Sequence, residues 1–280
     1  MNKKADLSGT STGYKIFSIV ILIALAIFFI FPLYWIVTGS FKDAIAINAR
    51  EPQWFPVAPI LDNYIRLFSK PAFRWLANIV IIAVSAMALT CLTASLAGYA
   101  LAKKRFIGRN ILFTIIICAM ALPKQVIVLP LLQEMNFLHL SDNLLAVILP
   151  TVGWPFGVFL MKQFSETIPT EILEAARVDG AGEVRTFFTV VFPMIKPGIG
   201  ALAIFTFVNT WNDYFLQLVM LTSEENFTLP LGIAKLQGEM SSDFGLIMAG
   251  ACLAALPIVA VFLAFQKYFT QGIAMGAVKG

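Results

Sequence analysis

The 280-residue sequence is 59% hydrophobic and only 13% charged, with a formal net charge of +4 and a mean hydropathy of +0.83. Soluble domains are usually about 45–50% apolar and about 25% charged, so a soluble enzyme, a disordered chain and a fibrous protein are excluded and lipid is the expected solvent. The positive charge is spread over loops. It therefore argues against nucleic acid and for the enrichment of basic residues on the cytoplasmic side of a membrane.

Taken in chain order, residues 16–41, 75–102, 143–161 and 244–266 carry no Asp, Glu, Lys or Arg. Two further apolar runs are each broken by one charge: 110–133 by Lys124 and 197–223 by Asp213. Each is long enough to cross the ~30 Å hydrocarbon core, which takes about 20 helical residues. Irregular backbone does not survive facing lipid, and the runs lack the alternation of a barrel strand, so six transmembrane helices are predicted. The fold class is an all-α polytopic membrane protein, one domain over 1–280 with a cytoplasmic loop at 162–198.

An even span count puts both termini on one side. The segments on that side hold 13 Lys and Arg residues, among them Lys3, Lys4, Lys103, Lys104, Arg177 and Lys279, against 6 on the other side. Both termini are therefore expected in the cytoplasm. The first apolar run is longer than a signal-peptide core and Phe41-Lys42 offers no small-x-small cleavage pattern. The outer segment 42–74, with Pro52, Pro56, Pro59, Pro71, Trp54 and Phe55, reads as an interfacial connector. Cys91, Cys118 and Cys252 all lie in apolar runs and read as small hydrophobes without a disulfide framework.

The loop 162–198 is far longer than a simple connector. Pro169 and Thr170 open a helix whose first turns carry Glu171 and Glu174, where carboxylates favour the positive end of the dipole. Gly180-Ala181-Gly182 breaks it. A second helix is predicted from Val184, Phe187, Phe188 and Val191 at i, i+3, i+4 and i+7, one apolar stripe. Pro193 and Pro197 close the loop. The first helix carries small residues, Ala175, Ala176 and Gly180, which let another surface come close.

Glu174-Ala175-Ala176, three residues, Gly180, nine residues, then Val190-Val191-Phe192-Pro193 resembles the EAA loop of importer-type ABC transporter permeases, whose pattern ends I-x-L-P. Val190 and Phe192 depart from the aliphatic pair but stay apolar. The wider stretch 174–198, the run Trp211-Asn212-Asp213-Tyr214-Phe215 and the ending from Gln266-Lys267-Tyr268-Phe269 to Gly280 resemble the carbohydrate-uptake branch, in particular the smaller permease of maltose-type systems. The resemblance implies that Glu174, Ala175, Ala176, Asp179, Gly180, Phe187 and Pro193 form a coupling interface on a partner ATPase, with Glu174 either pairing with a basic residue there or capping its own helix. It also implies a homologous second permease, two copies of the ATPase and an extracytoplasmic sugar-binding protein in the cytoplasmic membrane of a bacterium. ATP and Mg would be bound by the ATPase subunits. This chain has no G-x-x-x-x-G-K-[ST] phosphate loop and needs no cofactor of its own.

Charges inside a span usually face a cavity or a partner. Lys124 and Gln125, beside Pro123 and ahead of Pro130, suggest a kinked pathway-lining segment; the alternative is a lysine snorkelling to the outer interface. Asn209, Trp211, Asn212 and Asp213 combine amides, a carboxylate and a ring, as sugar binding or interhelical hydrogen bonding would use them. Trp154, between Gly153 and Pro155, is a further pathway candidate. The sole histidine, His139, falls in a short outer loop with Ser141 and Asp142, so an intramembrane Ser–His enzyme and a metal cluster are disfavoured. The outer loop 222–243 is polar, and the resemblance implies that Leu236, Gln237, Gly238, Glu239 and Met240 touch the binding protein. The rival functions are a permease for another solute, such as glycerol phosphate or a polyamine, and an ion-driven secondary transporter, which would show internal repeats and charge pairs.

Overall fold

The computed structural model describes residues 12–239 and 243–277, with the side chains of Thr12, Glu239 and 265–277 left aside. Among the described residues the chain is all helical. In order run α1 Thr12–Gly39, α2 Ala44–Ile47, α3 Asp62–Phe68, α4 Ala72–Lys103, α5 Arg109–Met120, α6 Lys124–Phe137, α7 Leu145–Val152 and α8 Pro155–Glu166. There follow α9 Thr170–Val178, α10 Glu183–Thr186, a π turn Phe187–Val191, α11 Phe192–Met194, α12 Lys196–Asn212, α13 Tyr214–Met220, α14 Leu229–Glu239 and α15 Phe244–Ala277.

Four segments are long and apolar enough to cross a membrane: Gly13–Gly39, Ala72–Lys103, Leu145–Glu166 and Phe244–Ala264. They match the four charge-free runs. Two further pairs qualify only as bent spans, so the described residues hold four to six candidates. The run expected at 110–133 turns through 108° between α5 and α6. Pro123 lacks an amide hydrogen and disfavours helical geometry at Leu122, so the first helix stops and a new one starts at Lys124. The run expected at 197–223 is likewise interrupted, with α12 ending at Asn212 and α13 starting at Tyr214. The second bent pair joins Glu183–Met194 to Lys196–Asn212 at 78°.

The chain divides into two compact units. One comprises 12–69 with 237–239 and 243–252. There α1 exposes Phe28 and Phe29, apolar all round as lipid contact requires. Asn63, buried on α3, donates its amide to the Ser40 and Lys42 carbonyls at 2.9 and 2.8 Å. The segment after α1 is thus fastened at the helix end rather than loosely draped. Lys42 is buried, its ammonium 4.4 Å from the Trp35 ring centroid, and desolvation holds its pKa below the ordinary lysine value.

The other unit comprises 70–236 with 253–277. Its centre is α4, packed against α8, α12 and α7. Ile79, Ile82, Ala86, Thr90, Ala94, Gly98 and Leu101 recur every three or four residues and are buried. Small residues set the spacing. A Cβ at Gly98 would lie 2.6 Å from the backbone of Met161 and Lys162, so α4 and α8 touch main chain to main chain. Such approach is how helices associate where lipid removes the hydrophobic drive. Lys103 then donates to the Glu166 and Ile168 carbonyls at 3.1 and 2.6 Å, closing the end of α8.

Candidate functional site

Three helix breaks meet at one place in the larger unit. Lys124 begins α6, Trp154 precedes α8, and Asp213 separates α12 from α13. Lys124 Nζ donates to Asp213 Oδ2 at 2.9 Å and stands 3.5 Å from the centroid of the Trp154 ring. The other carboxylate oxygen of Asp213 accepts the Leu216 amide at 3.3 Å, capping α13. The Lys124 side chain is 34% exposed and that of Asp213 16%. An ion pair at this depth is far cheaper than either charge alone, which explains why both apolar runs tolerate a charge.

A hollow lies under this pair, lined by Thr90, Thr206, Asn209 and Asp213 with Lys124 and Trp154. Asn209 gives its amide to the Phe205 carbonyl at 2.9 Å. The Thr90 hydroxyl is buried and has no hydrogen-bond partner among the described residues. Gln125 lines the adjoining hollow. Trp211 stays out of the group: its ring is buried against Phe207, centroids 5.5 Å apart. Asn212 is exposed and bonds back to the Val208 carbonyl of its own helix. The juxtaposition of Lys124 with Asp213, 89 residues apart, was beyond sequence reasoning; the signal was two lone charges in otherwise apolar runs.

The segment 170–194 holds the second group of candidate residues. Glu174, Ala175, Asp179 and Gly180 are exposed on and after α9, Ala176 is half-buried, and Pro193 is exposed on α11. Gly180 has φ +75°, a left-handed turn that costs other residues about 1–2 kcal/mol, while a Cβ there would meet nothing within 4 Å. The predicted stripe is corrected. Val184 and Phe188 are exposed, 72% and 49%, whereas Phe187 and Val191 are buried. The π turn carries an extra residue per turn, so the α-helical spacing no longer describes one face. Phe187 turns inward onto Tyr99, ring centroids 5.8 Å apart. Glu183 joins Lys104 and Arg177. The hydrogen bond from Lys104 chiefly holds its carboxyl below the usual range.

Of the residues expected to touch the binding protein, Leu236 is buried while Gln237 and Gly238 are exposed; the Glu239 side chain and Met240 lie outside the described residues. The described part of the polar loop at 222–243 includes α14, with Thr228, Leu229 and Leu231 buried. Its first residues are held from two sides. Asp142, at φ 53°, accepts the Thr222 and Ser223 amides at 2.8 and 3.1 Å. Trp75 and Asn78 donate to the Glu224, Glu225 and Phe227 carbonyls, each at 2.9 Å. Burial works to raise the Asp142 pKa, but bonds from Ser223, Thr222 and Asn226 outweigh it and hold the carboxyl below its ordinary value. This clamp had no signal beyond an aspartate ahead of an apolar run.

Several apolar helices, broken around a cleft that holds one ion pair and joined by a structured, charged segment, define a multi-pass membrane protein. Residues 92–275 match the model of one family, the binding-protein-dependent transport system inner membrane components. The chain belongs to that family and is a permease subunit of a binding-protein-dependent ABC importer. It is similar to the arabinooligosaccharides transport system permease protein AraQ of Bacillus subtilis, 34% identical with 95% of this chain and 96% of that one covered. It is also similar to the maltodextrin transport system permease protein MdxG of Bacillus subtilis, 32% identical over 95% and 96%. Among solved structures it is similar to a bacterial ABC transporter involved in the import of the acidic polysaccharide alginate. That likeness has a TM-score of 0.80 and 25% identity, over 93% of this chain and 99% of the other.

Proposed function

We propose that this chain is the smaller, six-span permease of an oligosaccharide importer. It pairs with a homologous permease, and two copies of an ATPase that binds ATP and Mg serve the pair. An extracytoplasmic sugar-binding protein delivers the cargo at 222–243. Both termini face the cytoplasm. The saccharide cargo follows the relatives, whose names carry arabinooligosaccharides and maltodextrin.

The observation that carries the coupling role is the exposed apolar edge of 170–194. Val178 and Val184 are 88% and 72% exposed, amid Glu174, Asp179 and Arg185. Lipid would not suit those charges, whereas a groove on a soluble subunit would suit both. The exposed EAA residues and Gly180 would seat there, and closure of the ATPase pair would move the permeases as rigid bodies between inward-open and outward-open states.

Purifying the intact complex from bacterial membranes and identifying its subunits and bound saccharide by mass spectrometry tests the reading. A second permease, two ATPase copies and a saccharide are expected; a lone chain whose uptake follows an ion gradient would overturn it. Gly180→Ala strains the turn without filling space, so recovery of the ATPase with that variant should fall about fivefold to thirtyfold, matching the ~1–2 kcal/mol left-handed penalty. Undiminished recovery would remove Gly180 from the interface.

A further inference from the structure

We propose that the basic turn between α4 and α5 binds the phosphate of an anionic phospholipid, gripped by Arg105 and Arg109. The inference concerns the bilayer around the protein. It rests on α4 and α5 as membrane segments and not on the cargo.

Helix length sets the depth of the turn. α4 has 32 residues, Ala72–Lys103, about 48 Å at the α-helical rise. A bilayer with its headgroups is about 40–45 Å thick, so the ends of α4 lie among headgroups. α5 opens at Arg109 as the first arm of a bent span. Only residues 104–108 separate the two helices, too few to carry the chain out of that layer. Gly108 makes the reversal at φ +84°, a left-handed conformation that glycine adopts without steric cost.

Charge gives the turn its chemistry. Residues 102–110 contain Lys103, Lys104, Arg105 and Arg109 and no Asp or Glu. The two lysines are engaged within the protein, Lys103 on the Glu166 and Ile168 carbonyls and Lys104 on Glu183. Among the described residues neither arginine enters an ion pair. The Arg109 guanidinium reaches back to the Lys104 carbonyl at 3.3 Å and to the Asn110 side-chain oxygen at 3.5 Å. Both acceptors are uncharged, so its positive charge stays unbalanced and further N–H donors remain on the fork. Both arginines line one open hollow of about 430 Å³, with Phe106, Gly108, Asn110 and Ile111. That is room for a phosphate diester and its glycerol, and guanidinium forks match phosphate oxygens in pairs.

The apolar rim selects lipid over a soluble partner. Phe106, Ile107 and Ile111 are exposed beside the arginines. A cationic hollow with an apolar rim at headgroup depth suits a molecule that carries acyl chains beneath its phosphate. The segment 170–194 has the opposite character: its exposed valines stand amid Glu174 and Asp179, which an anionic surface repels. Phosphatidylcholine also has a phosphate, but its choline cation would meet two unbalanced guanidinium groups. Phosphatidylglycerol brings the phosphate without that cation, so the hollow discriminates by net charge.

The test is photo-crosslinking with p-benzoylphenylalanine in place of Phe106. The full chain, with the subunits that co-purify, is placed in nanodiscs of phosphatidylcholine containing a minor share of phosphatidylglycerol. Mass spectrometry identifies the adducts. Phosphatidylglycerol adducts should exceed that lipid's share of the bilayer at least threefold. Arg105→Gln combined with Arg109→Gln should return them to that share. Should the glutamine pair fail to assemble, Arg105→Lys combined with Arg109→Lys replaces it, and loss of the fork should lower enrichment at least twofold. Enrichment below threefold in the parent, unchanged enrichment in the variant used, or adducts formed chiefly with a protein subunit overturn the site. Inorganic phosphate, at ionic strength matched with chloride, should leave the enrichment intact; its collapse would assign the hollow to free phosphate and overturn the lipid reading. Failure to import any saccharide would overturn the importer function and leave this result standing, since the crosslink reads lipid alone.

Discussion

Asp142 shows how one side chain in a short loop arranges a distant segment. Its carboxylate gathers two backbone amides from 80 residues further on. Because its folded pKa is depressed, its contribution is complete above the ordinary carboxylate range and is lost as pH falls through the lowered folded value. Hydrogen exchange at the Thr222 and Ser223 amides should therefore stay slow at pH 6 and quicken in acid. In Asp142→Asn it should be about fivefold to tenfold faster at neutral pH, as for loss of a charge-assisted bond of about 1–1.5 kcal/mol. Unchanged exchange would mean that the Trp75 and Asn78 bonds suffice alone. At this scale sequence reasoning found the residues that are chemically anomalous, Lys124 and Asp213 in apolar runs, because bilayer energetics flags them whatever the fold. It misplaced Trp211 and Phe187, aromatic residues whose contacts depend on which face a broken helix or a π turn presents.

Elements are held by backbone proximity more than by charge. Gly98→Ala places a methyl group 2.6 Å from main-chain atoms of Met161 and Lys162. Backbone does not yield as a side chain tip does, so overpacking of about 1–3 kcal/mol is expected. The variant should precipitate at a temperature several degrees lower when heated detergent samples are assayed by size exclusion; an unchanged profile would show that α8 shifts freely. The loop at 222–243 offers a contrasting case. Leu236 is buried, but Gln237 and Gly238 are exposed at the end of α14. Replacing Gln237 and Gly238 by Ser should spare assembly and basal ATP hydrolysis, and cut stimulation by the loaded binding protein at least threefold. Full stimulation would return these positions to the class of plain connector. The helices themselves were legible where charge-free runs were long. Their interruptions were not, because apolar composition resumes directly beyond Pro123 and Asp213 and a hydropathy window averages across the break.

For the whole molecule, orientation is the outstanding expectation, since the count of 13 basic residues against 6 rests on six crossings. In a background lacking Cys91, Cys118 and Cys252, Gly280→Cys should resist an impermeant thiol reagent added outside intact cells and react after permeabilisation. Brisk labelling of intact cells would reverse the topology. The positive-inside rule reads this from sequence because it concerns insertion rather than packing.

The shortness of α8 has a mechanical consequence. Trp154 stands at its start and Glu166 at its end, 12 residues that span about 18 Å. Its flank is braced against α4 at Gly98, and its far end is closed by Lys103. Only Thr167, Ile168 and Pro169 separate it from α9. The helix is thus a short, stiff element that moves only together with α4. A displacement of α9 would therefore have only a three-residue linker and one short helix between it and the tryptophan ring.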